Sequence, residues 1–460
     1  MLNYKEAQKI LEANARSFGK EKIGLDQADG RTLAETILAD RDYPPFNRSS
    51  MDGYAIHHSD FERGIRQFSI VETIYAGDIA TRSLSSGECY KIMTGAPVPT
   101  GADTVVRKED VEEDAGKIHI RLASCHPFQS IARQGEDLKS GDMVLHRACR
   151  CEAPVMGLLA SLGKNELLVE RLPRVALLTT GNEVVPIDAP VNPAQIRNSN
   201  RWLLQSLLKK WGIVPALVEH VPDDRQALKE VLGRVLHGPD SDPGPHGSGA
   251  SPGLPFDIII LSGGVSAGDA DYVPGVLDEL KVQNLFYKLA IKPGKPVWCG
   301  MKPAPGAAAP VTPISKGSTT IPGNDIAPST IIFALPGNPF SCLVNFMLLI
   351  RPYLHACFGL PAPVQMALPL RESKKKNTPL DEFFPVRSGG SPETRGASES
   401  PGNSGTSESS GIPGSPAGLT PIRINSSGDI RLGLGADGLA LHPAGRGDLP
   451  EGALVFYYAL

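Results

Sequence analysis

The chain has 460 residues, ordinary apolar content and a formal net charge of −4, so it can bury several cores and presents no basic field for nucleic acid. No stretch is apolar for long enough to span a bilayer and the first residues lack a signal-peptide core, which together predict a cytoplasmic protein with no membrane partner. Seven scattered cysteines predict reduced thiols rather than a disulfide framework, with Cys149 and Cys151 read as thiols and not as a metal pair.

From the start of the chain, residues 4–15 and 32–38 carry apolar side chains at three- and four-residue spacings and are predicted as helices. From Phe46 the pattern changes to short runs broken by Gly, Pro and Asp, at 53–56, 90–93, 104–106 and 118–120, which predicts a β-rich insert over 46–137. The flanking segments, 1–45 and 138–172, are assigned to one N-terminal hub. His57 and His58, adjacent on an extended run, would point to opposite faces and are given no role.

The middle of the chain repeats strand, loop and helix. Apolar runs at 175–178, 258–261 and 331–335 read as parallel strands buried on both faces, and helical patterns come after them, at 200–211, 225–236, 273–280 and 340–354. The fold class is therefore multidomain α/β and β, with a central doubly wound, mostly parallel α/β domain over 173–361. Residues 362–460 are assigned to a small, β-barrel-like C-terminal domain, with strand-like runs at 422–424 and 453–458. Segments 238–255, 303–328 and 388–418, rich in Gly, Pro, Ser or Ala, are read as flexible or disordered insertions. The lysine run 374–376 is read as a solvated loop edge.

In such a sheet, ligands bind beyond the carboxyl ends of the strands. Five loops fall at or near those ends: TTGNE (179–183), VPDD (221–224), SGGVSAGDADY (262–272), KLAIKPGKP (288–296) and LPGNP (335–339). Ser262, Gly263, Gly264 and Ser266 can bring backbone N–H groups to a phosphate ahead of a helix N-terminus, although a glycine pair also serves as a plain turn. Lys288, Lys292 and Lys295, with Gly294 permitting a bend, can neutralise a polyanion or can be surface lysines. Glu183, Asp223, Asp269 and Asp271 would repel a bare phosphate, which implies a cation, with Mg²⁺ suited to one or two carboxylates plus phosphate oxygens. Asp224 is equally placed to cap the helix that follows it. Pro336, Gly337, Asn338 and Ser341 form a turn into a helix whose N–H and hydroxyl groups can either meet an anion or only cap.

These loops, with NSN (198–200), PPFNRSSMDGYAI (44–56), IMTGAPVPTGADTVV (92–106) and RQGEDL (133–138), resemble the molybdopterin molybdenumtransferase, or MoeA, family, related to the E domains of gephyrin and plant Cnx proteins. The resemblance implies insertion of molybdenum from molybdate into adenylylated molybdopterin with release of AMP in a divalent-cation-dependent step. It also implies a homodimer of four-domain subunits in which the α/β domain of one subunit faces the β-rich domain of the other. The adenylyltransferase that supplies the pterin and the maturation factors that collect the product are its implied partners. Carried over by motif, Asp52, Thr94 and Asp137 line the cleft from the β-rich domain. Glu183, Asp223, Asp271, Lys288 and Lys292 line it from the α/β domain, with Glu183, Asp269 and Asp271 around the metal. Two departures stand out: Asn182 where the family has Asp, and Asp269 where it has Glu.

Overall fold

The computed structural model describes residues 1–237, 256–265, 271–303, 329–389, 418–431 and 433–460. The expected insertions fall mainly on 238–255, 304–328 and 390–417, outside the described residues, as do Ser266 and Asp269. Contacts group the chain into two compact units, one of Met1–Lys22, Gly30–Thr32 and Val169–Leu460, the other of Ile23–Asp29 and Leu33–Leu168.

The larger unit is built on a six-stranded sheet in the order Leu217–Val221, Val175–Thr180, Ile258–Ser262, Ser329–Leu335, Trp298–Pro303, Gln283–Tyr287. The first four strands are parallel and the last two join antiparallel. Val175, Leu177, Ile258, Ile260, Ile331 and Phe333 pack into one apolar cluster, while Ala176, Leu178, Ile259, Leu261, Ile332 and Ala334 pack into another. Successive strand residues point to opposite faces, so both faces are covered and the strands read as unbroken apolar runs.

Helices follow the parallel strands. Ser199–Lys209 starts at Asn198, whose side chain accepts the Arg201 N–H, and Gly212 follows at φ 73° in the left-handed region. Arg225–His237 starts behind Asp224, whose carboxylate accepts the Ala227 N–H at 2.8 Å, so Asp224 is a helix cap. The apolar helix Pro339–Cys357 carries a π-helical segment at Phe346–Ile350. It is long and apolar enough to cross a membrane, but 78% of its apolar window is buried inside the protein. The first helix, Tyr4–Ala13, begins with a capping box between Asn3 and Glu6 and buries Tyr4, Ala7, Ile10 and Leu11 in the α/β core. By contacts this segment groups with the α/β unit, a different division from a hub of 1–45 with 138–172.

The C-terminal residues form a curled mixed sheet, Ile291–Lys292, Asp381–Ser388, Gly438–His442, Leu454–Ala459, Met366–Pro369, with Leu419–Pro421 added beside Asp381–Ser388. Its first strand is borrowed from the lysine loop of the α/β region and pairs parallel, Ile291 with Asp381 and Lys292 with Glu382. The run expected at 422–424 lies just past the strand Leu419–Pro421.

The smaller unit holds a six-stranded sheet, Thr104–Arg107, Gly53–Ile56, Glu88–Ile92, Gln67–Ile74, Lys117–Ile120, Val111–Asp114. The segment 32–38 is not a helix. Ile37 and Leu38 pair with Leu145 and Met143, and the Leu33 N–H donates to the Cys149 carbonyl at 2.9 Å. The i, i+4 apolar pair Leu33 and Ile37 is buried as the periodicity requires, but the backbone groups are satisfied by a neighbouring segment instead of a helical turn.

Candidate active site

At the carboxyl ends of the parallel strands, side-chain amides and glycine turns tie four loops together. Thr179 at the end of Val175–Thr180 receives a hydrogen bond from Asn198 Nδ2 at 2.8 Å and lies 3.1 Å from His220 Nδ1. Asn182 and Asp223 bond reciprocally: the Asn182 N–H donates to Asp223 Oδ2 and the Asp223 N–H donates to Asn182 Oδ1, both at 3.1 Å. That exchange fixes the TTGNE loop against VPDD and leaves Glu183 exposed. Asp223, Asp224, Thr180 and Gly264 surround a void of about 10 Å³, room for about one water.

Ser262 ends the next strand, and the Gly263 N–H donates to the Leu335 carbonyl at 3.0 Å, joining this turn to LPGNP. Gly263 sits at φ 103°, where a Cβ would lie 2.5 Å from Thr180 Oγ1, so only glycine allows this approach. Beneath the turn, the Cys342 thiol donates to the Pro336 carbonyl at 2.9 Å and lies 3.4 Å from Ser262 Oγ. Burial pushes its pKa up to about 12, against a smaller opposing effect from Ser262, and the sulfur stays protonated as a structural donor. Asp271 is half-buried just ahead of the helix Val273–Glu279.

The lysines divide between two places. Lys288, at φ 63°, lies 4.7 Å from the Tyr287 ring centroid, and the Tyr287 hydroxyl reaches the Val265 carbonyl at 3.4 Å beside the glycine turn. Lys292 and Lys295 instead line a cavity of about 970 Å³ shared with the C-terminal sheet. Gly294 makes the bend between them at φ 98°, packed so closely on Asn345 that a Cβ would meet its Nδ2 at 2.4 Å. Asn345 Nδ2 holds the bend by donating to the Gly294 carbonyl at 3.1 Å and to the Ser341 carbonyl at 2.9 Å. Gly294, Pro336, Asn338 and Ser341 line the same cavity. Asn338 occupies the N-cap position, yet its side chain does not cap; Nδ2 donates to Ser427 Oγ at 2.9 Å.

The opposite wall of this cavity was not expected. Lys374 and Lys375 line it, as does Arg423. Lys374 pairs with Glu382 at 2.8 Å with both side chains largely buried, and Lys376 Nζ donates to the carbonyls of Leu380, His442 and Pro443. The run 374–376 is therefore only in part a solvated edge: the C-terminal sheet folds Lys374 and Lys376 inward, where burial lowers the Lys376 pKa, while Lys375 stays exposed at the cavity. Arg423 carried no local motif, and only the tertiary fold reveals it.

In the smaller unit, Asp52 and Thr94 come together. Asp52 Oδ1 accepts the Thr94 N–H at 2.9 Å and its hydroxyl at 2.8 Å, while Lys108 Nζ lies 3.8 Å from Oδ2. The Thr94 backbone bond first, then its hydroxyl and more weakly Lys108, hold the Asp52 carboxyl below its usual range. Asp137 is exposed on a separate loop, its N–H donating to the Tyr43 carbonyl at 3.0 Å.

Comparison with known proteins gives this geometry its context. Residues 2–163 match the family model for the MoeA N-terminal region (domain I and II), and residues 176–356 match a probable molybdopterin binding domain. A molybdopterin molybdenumtransferase of Staphylococcus epidermidis is 30% identical over 389 residues, covering 83% of each chain. The chain belongs to the molybdopterin molybdenumtransferase family. A further member, from Synechocystis sp., is 28% identical over 460 residues and spans 100% of both chains. Among solved structures, a molybdopterin biosynthesis moeA protein from Pyrococcus horikosii superimposes with a TM-score of 0.69 at 26% identity, covering 100% of this chain and 99% of that one. In this member of the molybdenumtransferase family, the Asn182 side chain serves its exchange with Asp223 only as an acceptor, through Oδ1.

No group of three or more His, Cys, Asp or Glu side chains able to hold a metal occurs among the described residues. A Mg²⁺ ion does not need one, because it keeps several waters and commonly takes one or two carboxylates plus substrate phosphates. Glu183, exposed, and Asp271, half-buried, are carboxylates of that kind on loops at the strand ends.

Proposed function

We propose that this chain transfers molybdenum from molybdate to adenylylated molybdopterin, releasing AMP with the help of a divalent cation. The observation that carries the reading is the pairing of two different anion sites on one rim. One is the glycine turn of Ser262, Gly263 and Gly264, which suits a pyrophosphate. The other is the cavity of Lys292, Lys295, Lys374, Lys375 and Arg423, in which Lys374 is paired with Glu382 and Glu372 is the second carboxylate, leaving an excess of positive charge that suits a tetrahedral dianion such as molybdate.

In this mechanism the pyrophosphate of the substrate lies over the glycine turn, with Lys288 beside it. Glu183 and Asp271 would hold the cation, with Asp269 as a third candidate ligand, and the chemistry it would supply is positive charge against the phosphates. Water or a molybdate oxygen attacks phosphorus, the phosphoanhydride bond breaks with its electron pair on the departing phosphate oxygen, and AMP leaves. The two dithiolene sulfurs then bind molybdenum, and their protons leave with one molybdate oxygen as water. Stabilising the charge that develops on the phosphates is the largest expected contribution of the lysines. In the smaller unit, Asp52 is kept ionised by Thr94 and is offered, with Asp137, as a polar contact for substrate.

The same proposal includes a homodimer, a cytoplasmic location, and exchange of pterin with an adenylyltransferase and molybdoenzyme maturation factors. Substituting Asp271→Asn tests the metal role: AMP release should fall by at least two orders of magnitude with the melting temperature retained. Turnover at the wild-type rate would remove Asp271 from the mechanism.

A further inference from the structure

The side chain of Asn200 sits where three loops meet. It lies on the first turn of Ser199–Lys209, and its Nδ2 donates to Ser262 Oγ at 2.8 Å and to the Gly337 carbonyl at 2.6 Å. These acceptors belong to the glycine turn after Ile258–Ser262 and the turn after Ser329–Leu335, two neighbouring strands. The turns are in close contact: a Cβ on Gly337 would stand 3.9 Å from Gly263 Cα. One amide group thus spans both walls of the proposed pyrophosphate cradle.

Two further atoms point to a ligand. Asn200 Oδ1 is buried without a hydrogen-bond partner, and so is Thr180 Oγ1, on a residue only 7% exposed that packs against Gly263. Buried polar atoms are normally satisfied, and a pair of orphans beside one glycine turn marks a place that a bound polar group completes. The two nitrogen-bound hydrogens of Asn200 are already committed and its oxygen is an acceptor, so Asn200 acts on an anion only through the turns it holds, whereas the Thr180 hydroxyl can donate to an oxyanion.

We propose that Asn200 is a positioning residue for the pyrophosphate cradle, holding the turn that follows Ser262 and the Gly337 turn at a fixed separation around one phosphate group, with the Gly263 N–H kept by the Leu335 carbonyl as part of the frame. The proposal rests on the transferase reading and gives that reading a specific lever. Asn200 acts through the turns. Asn200→Asp preserves the shape but loses the donors, and Asn200→Ala loses both donors and acceptor.

The test is calorimetric binding of inorganic pyrophosphate and, separately, of molybdate to the full chain and to both variants. Both substitutions should weaken pyrophosphate binding about tenfold or more, the loss expected for hydrogen bonds to a charged ligand, while molybdate binding at the Lys292–Lys295 cavity stays within twofold. A merely destabilised fold would weaken both ligands together, which overturns the proposal. So does unchanged pyrophosphate binding in either variant when the wild type binds. A wild-type chain that does not bind pyrophosphate overturns the transferase reading and the proposal with it, a result distinct from failure of the variants alone. In the double-mutant cycle with Ser262→Ala, the losses should not add, because Asn200 acts through Ser262; additive losses contradict the linkage.

Discussion

Single side chains decide which backbone approaches are allowed at the rim. Gly263 and Gly337 face each other, yet only Gly263 combines a left-handed φ with a neighbour at 2.5 Å. Gly263→Ala should therefore destabilise the larger unit by about 2 kcal/mol or more, while Gly337→Ala stays within about 1 kcal/mol, as read from denaturant midpoints at constant slope. Asp52 offers a pH test in the other unit. Its folded pKa is held down, mainly by Thr94, so its contribution to stability is present above the unfolded value and is lost as pH falls through the folded one. Thr94→Val removes the hydroxyl donor and should raise the Asp52 pKa, shrinking that acid-limb loss; carboxyl chemical shifts followed through a titration would measure the change directly.

Elements place these residues with different degrees of legibility. The parallel strands were readable because both of their faces are buried, which writes an unbroken apolar run into the sequence. The segment 32–38 misled in the other direction, reading as a helix because Leu33 and Ile37 are buried at helical spacing while their backbone pairs with a neighbouring segment. The lysine bend illustrates a third case: its glycine was legible as a turn, but its support comes from Asn345, deep in the helix that follows LPGNP. Asn345→Ala should cost about 1–3 kcal/mol through lost buried hydrogen bonds and loosen the bend that carries Lys292 and Lys295, raising the KM for molybdate more than it lowers kcat.

At the scale of the whole molecule, the motifs named the family while the fold assembled the cavity. Lys292 and Lys295 were chosen from sequence because Pro and Gly surround them. Lys374 and Lys375 were set aside as solvated, and Arg423 was missed, because each reaches the cavity only when the C-terminal sheet takes Ile291–Lys292 as a strand. Local sequence cannot encode such a pairing. The combined substitution Lys375→Ala and Arg423→Ala should weaken molybdate binding about tenfold and flatten its salt dependence, without altering pyrophosphate affinity.

The measurement that tests the central claim most directly is AMP release from adenylylated molybdopterin by the purified protein, with and without molybdate and Mg²⁺, followed by metal analysis of the pterin. AMP release that depends on molybdate and Mg²⁺, with molybdenum recovered on the pterin, is the predicted result. Cleavage that ignores molybdate and leaves the pterin metal-free, or no cleavage at all, would contradict the account.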